Sequence, residues 1–406
     1  MKKSLFIIAA TALVVSCASN DVKNDIVQED VAIGFVPAFM EKVTKANAGE
    51  MSISPNTFEK DHNTFAVWGW KTNANETTKV FDNQLVEYLA ANLNTTPSTG
   101  WAYTPLKYWD RGASYKFYAA APYNYFTFDG TTRKFSATSV PSVQTIQNKN
   151  ASSQANLIDL AYTENGHGTN STAIDYLVAA KVECGTGADN QSNNLGNNRK
   201  DDDKDVEFIF SHILSKLTVR ALTTSDFAPS GKPDIKLTKL EISLNGMSQS
   251  YAQLAEGYTQ ADSINMDVWS SAISSAVTET CFYADDNSQT NFGVDSLLLS
   301  ATAQELASYF VAPTTTGTTG VSYSGTADVT VQAWYTVFYS DGVVDNCVSP
   351  VTTVANLNRF VQNNWYFLDV KISPEAILFD VNSVVGFDTD INRNGNADDE
   401  IEQEVH

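Results

Sequence analysis

The chain has 406 residues, and 47 acidic against 26 basic side chains give it a formal net charge of −21. A surface of that sign repels nucleic acid and anionic lipid, which argues against nucleic-acid binding. Aromatic residues make up 11% and charged residues only 18%, a balance that favours packed cores over disorder, and the length suits two or three domains.

In chain order, Met1-Lys2-Lys3, an apolar run from Leu5 to Val15 and the pair Ser16-Cys17 have the basic, apolar and small-residue parts of a secretory signal. The run is shorter than the roughly 20 residues of a membrane-spanning helix. Val14-Val15-Ser16-Cys17 resembles a lipobox. That resemblance implies a lipoprotein signal peptide over residues 1–16 and a lipidated Cys17 held to a bilayer by its acyl chains. An ordinary signal peptide with an incidental cysteine is the plainer alternative.

Residues 17–45 read as an N-terminal tether carrying one candidate strand, because Val31, Ile33 and Phe35 alternate with Ala32, Gly34 and Val36. Strand patterns dominate beyond it. Phe65 to Trp70, Tyr115 to Ala119, Phe208 to Phe210, Leu217 to Ala221, Val329 to Tyr339 and Trp365 to Ile372 are rich in β-branched and aromatic residues. Asp129-Gly130 and Asp341-Gly342 read as hairpin turns. Leu85, Leu89 and Leu93 have a helical spacing, although Lys79 to Gln84 before them reads as strand and turn.

The polar stretch Asp189 to Asp205 cannot bury enough apolar area to order itself. It divides the chain into an expected N-terminal β-sandwich over 46–190, a linker or loop over 191–205, a C-terminal β-sandwich over 206–387 and an acidic tail over 388–406. Many short strands without βαβ alternation predict an all-β chain of two antiparallel β-sandwich domains in tandem. Cys184, Cys281 and Cys347 allow at most one disulfide and match no zinc spacing, so they read as small buried apolar residues.

No nucleophile elbow, zinc-protease helix motif, phosphate loop or dinucleotide fingerprint occurs in the chain, and it is read as a non-enzyme that requires no cofactor. His212, among apolar neighbours, reads as a hydrogen-bonded structural residue. Trp101, Tyr103, Tyr108, Trp109, Tyr115 and Tyr118 suit either a core or a sugar-stacking platform, the core being the plainer choice. In the tail, Asp390, Asn392, Asn394 and Asp398 flank Gly395 at the spacing of a calcium loop. Ile401 stands where an EF-hand needs its bidentate acid, so calcium competes with a plain solvated tail.

Several segments together resemble the fimbrillin family of Bacteroidetes-type lipoprotein pilus subunits. They are Val31 to Phe35 with Lys42 to Ala46, Phe65 to Gly69, Gly100 to Pro105 with Tyr108-Trp109, Tyr115 to Pro122, Asp175 to Ala179, Phe208 to Leu217 and Asn364 to Ile372. The resemblance implies transthyretin-like, Greek-key sandwiches and a structural subunit of a surface fimbria that contributes to adhesion. It also implies other fimbrial subunits as partners, and an outer membrane reached through the lipid anchor. In that family a protease removes a strand near the mature N-terminus and a strand of another subunit takes its place. The resemblance implies this donor-strand exchange for the strand around Val31, Ile33 and Phe35; an ordinary first strand that stays in place is the plainer alternative. Ile377, Phe379 and Val381 alternate suitably for a donor. Family processing follows an arginine, and the first arginine after the signal here is Arg111, so Lys42 and Lys45 are the candidate processing positions. The alternative is a monomeric or fimbria-anchoring surface lipoprotein that binds glycan or host protein.

Overall fold

The computed structural model describes residues 32–41, 52–54, 63–89, 100–150, 162–163, 167–168, 173–184, 205–224, 234–251, 269–272, 276–284, 296–314, 328–374 and 377–386, apart from 75, 111, 112, 132, 138, 139, 180, 247, 356, 358, 359 and 361. Every helix or strand element among them is a strand.

The first strands are β1 (Phe35–Glu41), β2 (Ser52–Ser54), β3 (Thr64–Asn73), β4 (Glu76–Tyr88), β5 (Trp101–Ala102), β6 (Ser114–Ala121), β7 (Thr127–Asp129), β8 (Lys134–Ser136) and β9 (Val143–Asn150). Next come β10 (Tyr162–Thr163), β11 (His167–Gly168), β12 (Leu177–Ala179), β13 (Val182–Cys184), β14 (Val206–His212), β15 (Ser215–Thr223), β16 (Asp234–Asn245), β17 (Ser248–Tyr251) and β18 (Trp269–Ala272). The last are β19 (Val277–Tyr283), β20 (Leu297–Leu298), β21 (Gln304–Val311), β22 (Asp328–Phe338), β23 (Val344–Val348), β24 (Thr352–Thr353), β25 (Asn364–Ile372) and β26 (Ile377–Gly386).

Two large sheets organise them. The first runs β2-β1-β14-β12-β6-β3-β4-β5, with β13 also on β6. The second runs β23-β22-β16-β19-β9-β21-β15-β25-β26, with β20 on β16 and β24 on β22. The expected strands beyond residue 45 form, the strand expected around Val31, Ile33 and Phe35 begins only at Phe35, and the segment from Lys79 through Leu85 lies in strand β4. The sheets are mixed, however, where antiparallel sheets were expected: β1 lies parallel to β14, β15 to β25, and β9 to β19. In each of these pairs the two strands are far apart in sequence, so no hairpin dictates antiparallel pairing.

Nor do the sheets part at 191–205, the expected boundary. Strand β14, beyond that stretch, lies in the first sheet, and β9, well before it, lies in the second between β19 and β21. The segment Phe208 to Leu217 crosses from one sheet to the other. Ile213 and Leu214, successive residues, are both fully buried in the same apolar cluster. A continuous strand sends neighbours to opposite faces, so the ladder must break there. Backbone bonds hold the crossing, Ile213 N–H to Tyr176 O at 3.0 Å and Asn363 N–H to Leu214 O at 2.9 Å.

Strand β3 is buried on both faces. Phe65 and Val67 point into the first sheet's core with Phe81, Phe117 and Phe208, while Ala66, Trp68 and Trp70 join a cluster with Phe310 of β21 and Ala312 just beyond it. That cluster is the apolar contact between the sheets. Gly69 is required on this strand, because an added Cβ would stand 2.9 Å from the rings of both Phe81 and Phe117. In the second sheet, β15, β21 and β25 share one core with β16, β19 and β22. The alternation of Val329, Val331, Ala333, Tyr335 and Val337 places these five in that core. Asp341-Gly342 turns the β22–β23 hairpin, with Gly342 at φ 89°. Asp129-Gly130 opens a longer turn, in which Asp129 O accepts from Arg133 N–H and Arg133 takes the positive φ.

Candidate functional site

Residues 32–41 complete the first sheet. Ile33 and Phe35 are 0% and 1% exposed, as the period of two predicts. The ring of Phe35 lies among Phe81 of β4, Tyr103, Phe117 of β6 and Phe208 of β14, with ring centroids 5.3 to 6.0 Å away. The sheet therefore curls until its first strand meets its far side. Ile33 N–H donates to Lys107 O at 2.8 Å, Ala32 bridges Tyr108, and the Tyr103 hydroxyl donates to Ile33 O at 2.7 Å.

The same hydroxyl accepts from Lys107 N–H at 3.2 Å, so one side chain clasps both the N-terminal segment and the loop beneath it. Burial pushes the Tyr103 phenol up to about 12, against the lowering effect of its bond to the Lys107 backbone. On the other flank, Val206 N–H donates to Gly34 O at 2.7 Å. This sets a parallel ladder in which Val36 and Ala38 turn their N–H groups toward β14. Pro37 then falls where no ladder donor is needed, which is how a strand tolerates it. β2 pairs with β1 only from Phe39 to Glu41.

Val31, Lys42, Lys45 and Cys17 lie outside the described residues, as do Asp390, Asn392, Asn394 and Asp398. Among the described residues no three His, Cys, Asp or Glu side chains gather as a metal-binding group. Ile377, Phe379 and Val381 sit on β26, partly buried against the second core. That strand pairs with β25 from Ile372↔Ile377 to Asn364↔Gly386.

Trp101, Tyr103, Trp109, Tyr115 and Tyr118 are core residues, and only Tyr108 of that group is exposed. His212 is buried, with Nδ1 2.9 Å from Asp175 Oδ1, at the end of β14 where the chain leaves the first sheet. Sequence reasoning did not pair these two. The signal was Asp175 opening the apolar run Tyr176-Leu177-Val178-Ala179, since a carboxylate entering a core requires a partner. Cys184 and Cys281 are buried, and burial pushes the Cys281 thiol up to about 12. Cys347 is only half-buried, contrary to expectation, because β23 is an edge strand.

These features define a β-sheet protein whose first sheet is closed by its own N-terminal segment. The chain belongs to the fimbrillin-like family, which matches residues 44–386, from beyond β1 to the last residue of β26. No curated protein matches it. Among solved structures it is similar to a fimbrial protein from Bacteroides vulgatus, at 16% identity over 88% of this chain and 99% of that one, with a TM-score of 0.46. It is also similar to the tip fimbrial protein Mfa3 from Porphyromonas gingivalis with a C-terminal truncation, at 11% identity over 88% and 100% of the two chains and a TM-score of 0.28. Both are distant, and membership rests on the family match.

Proposed function

We propose that the chain is a structural subunit of a surface fimbria, made as an outer-membrane lipoprotein precursor, assembled by donor-strand exchange and contributing to adhesion. In this reading Cys17 carries the lipid, two tandem transthyretin-like sandwiches form the body, and cleavage after Lys42 or Lys45 separates β1 from β2. Release of residues 32–41 leaves the apolar trough of Phe81, Phe117 and Phe208 open beside the unpaired edge of β14. A strand from another subunit fills both at once. Ile377, Phe379 and Val381 of β26 supply a candidate donor, provided β26 leaves β25. No catalytic step and no required cofactor enter this scheme, and any calcium would belong to Asp390, Asn392, Asn394 and Asp398.

The observation that carries the reading is the full burial of Ile33, just before β1, and of Phe35, its first residue, at the first sheet's rim. There, among the described residues, the segment's far side meets only three residue pairs to β2 and the contacts of Ala32 and Ile33 with Tyr108 and Lys107. The test is N-terminal sequencing and intact mass of the protein from cells, with a gel ladder that heating dissolves. A new N-terminus after Lys42 or Lys45 and a ladder are expected. An acylated Cys17 without a ladder points instead to a fimbrial anchor or a monomeric surface lipoprotein that binds glycan or host protein. The lack of any arginine between the signal and Arg111 favours that second outcome if the protease demands one.

A further inference from the structure

Of the large hydrophobic side chains that stand most exposed among the described residues, Val343, Val344, Val348 and Val351 fall within nine positions, at 48 to 62% exposure. They occupy β23 and its flanks, and among the described residues β23 ends the second sheet. This concentration is unlike scattered surface valines, which require no account.

The ladder on the inner side of β23 fixes what its outer side offers. Tyr339 N–H donates to Val343 O, and Ser349 N–H donates to Ala333 O. In an antiparallel pair the bonded positions alternate. Residues 343, 345, 347 and 349 therefore turn their backbone groups toward β22, and Val344, Asn346 and Val348 turn theirs outward. These three also place their side chains on the outer face of the sheet. There Val344 stands beside Phe338, Val348 beside Trp334, and Asn346 beside Thr336, whose hydroxyl donates to the Asn346 side-chain oxygen at 3.0 Å.

That pattern is self-complementary about Asn346. We propose that β23 is a self-association edge, which takes as its partner the β23 strand of a second copy of this chain, antiparallel and related by a two-fold axis through Asn346. In that register Val344 lies opposite the partner's Val348, Val348 opposite the partner's Val344, and Asn346 opposite the partner's Asn346. The outward N–H and C=O groups of all three positions are satisfied together. Each outer-face row then runs unbroken, from Phe338 through Val344 to the partner's Val348 and the partner's Trp334. The contact is isologous and closes on itself. A five-residue edge is short by the standard of stable interfaces, so the pairing is weak between single chains and gains strength where many copies are arrayed. It makes no use of the N-terminal trough and stands or falls apart from strand exchange.

Charge supplies the discriminating test. Each copy carries −21, Asp341 precedes the edge and Asp345 lies in it, so salt must strengthen the pairing by screening their repulsion. A basic extended peptide at the same edge would bind more weakly as salt rises. The experiment is sedimentation of the purified chain at low and high salt, beside a variant with Val344→Lys and Val348→Lys, which sets lysines opposite lysines. Both valines are half-exposed, so the fold survives the change. Salt-promoted dimers whose association constant falls at least about tenfold in the variant are expected. The register is tested by Asn346→Cys in a Cys347→Ser background. Hydrogen-bonded antiparallel partners have Cα atoms about 5.5 Å apart, within disulfide reach, so a disulfide dimer forms on mild oxidation and is absent from Cys347→Ser alone. Failure to dimerise, dimers that salt weakens, dimers indifferent to the lysines, or no disulfide at position 346 would each overturn the proposal.

Discussion

Tyr103 and Phe35 hold the N-terminal segment by different physics, and their substitutions separate the two. Phe35 is enclosed by four rings. Phe35→Ala removes that packing at a cost of about 3–5 kcal/mol, the usual range for a buried phenylalanine, read as a loss of stability in urea unfolding. The amide of Val206, bonded to Gly34 O, should lose hydrogen-exchange protection with it. Tyr103→Phe keeps the ring and removes one donor from a buried carbonyl, so a smaller loss of about 1–3 kcal/mol is expected. The two also differ with pH. The folded phenol titrates near 12 and an unfolded one near 10. The Tyr103 contribution is therefore level below pH 10 and declines from pH 10 to about 12, because the unfolded chain loses its proton first. Tyr103→Phe abolishes that part of the alkaline slope, which stability measured from pH 9 to 12 in both proteins reveals.

At the scale of elements, what was legible in the sequence is what a strand does locally. The period of two put Ile33 and Phe35 on one buried face, and it did the same for Val329 through Val337. Composition alone found β3, whose run Phe65-Ala66-Val67-Trp68 has no polar alternation, because it is buried on both sides. The spacing of Leu85, Leu89 and Leu93 left helix and strand open, and Leu85 falls in β4, a long, bulged strand, while Leu93 lies outside the described residues. The register of β4 shifts against β3 around Gly69, where the rings of Phe81 and Phe117 stand close to the backbone. What was not legible is long-range partnership. Nothing in Val143–Asn150, with its mixed Gln, Thr and Asn residues, announces a strand between β19 and β21. The continuous apolar run through Phe208 and Leu217 likewise hides the crossing at Ile213-Leu214, since both sheets need the same residue types. The phenylalanines around Phe35 were visible as residues, but their convergence depends on the curl of the whole first sheet.

For the whole molecule, β9 decides whether the two sheets are separable bodies. It pairs with β21 along Val311↔Val143 to Ala307↔Asn148, and with β19 at Phe282↔Lys149 and Tyr283↔Asn150. Among the described residues it is the strand that joins the two halves of the second sheet. Its flank Val140 and its own Ile146 belong to the apolar cluster between the sheets. A fragment of residues 206–386 therefore carries β14, which has lost its own sheet, and lacks β9, which the second sheet uses. Removing β9 bares the edges of β19 and β21, whose backbone groups then meet water or another chain. The fragment also leaves Phe310 and Ala312 with Ile213 and Leu214 but without the cluster's residues from Ala66 to Val178. The fragment is expected to expose apolar surface and to lack the near-ultraviolet circular dichroism of the intact chain, although the linker-like stretch before residue 206 suggests an independent unit. Adding a peptide of residues 140–150 should recover part of that signal, because it restores the missing strand without restoring the first sheet. If the fragment alone shows a cooperative unfolding transition as sharp as that of the full chain, β9 is an accessory strand and the two sheets fold as independent units.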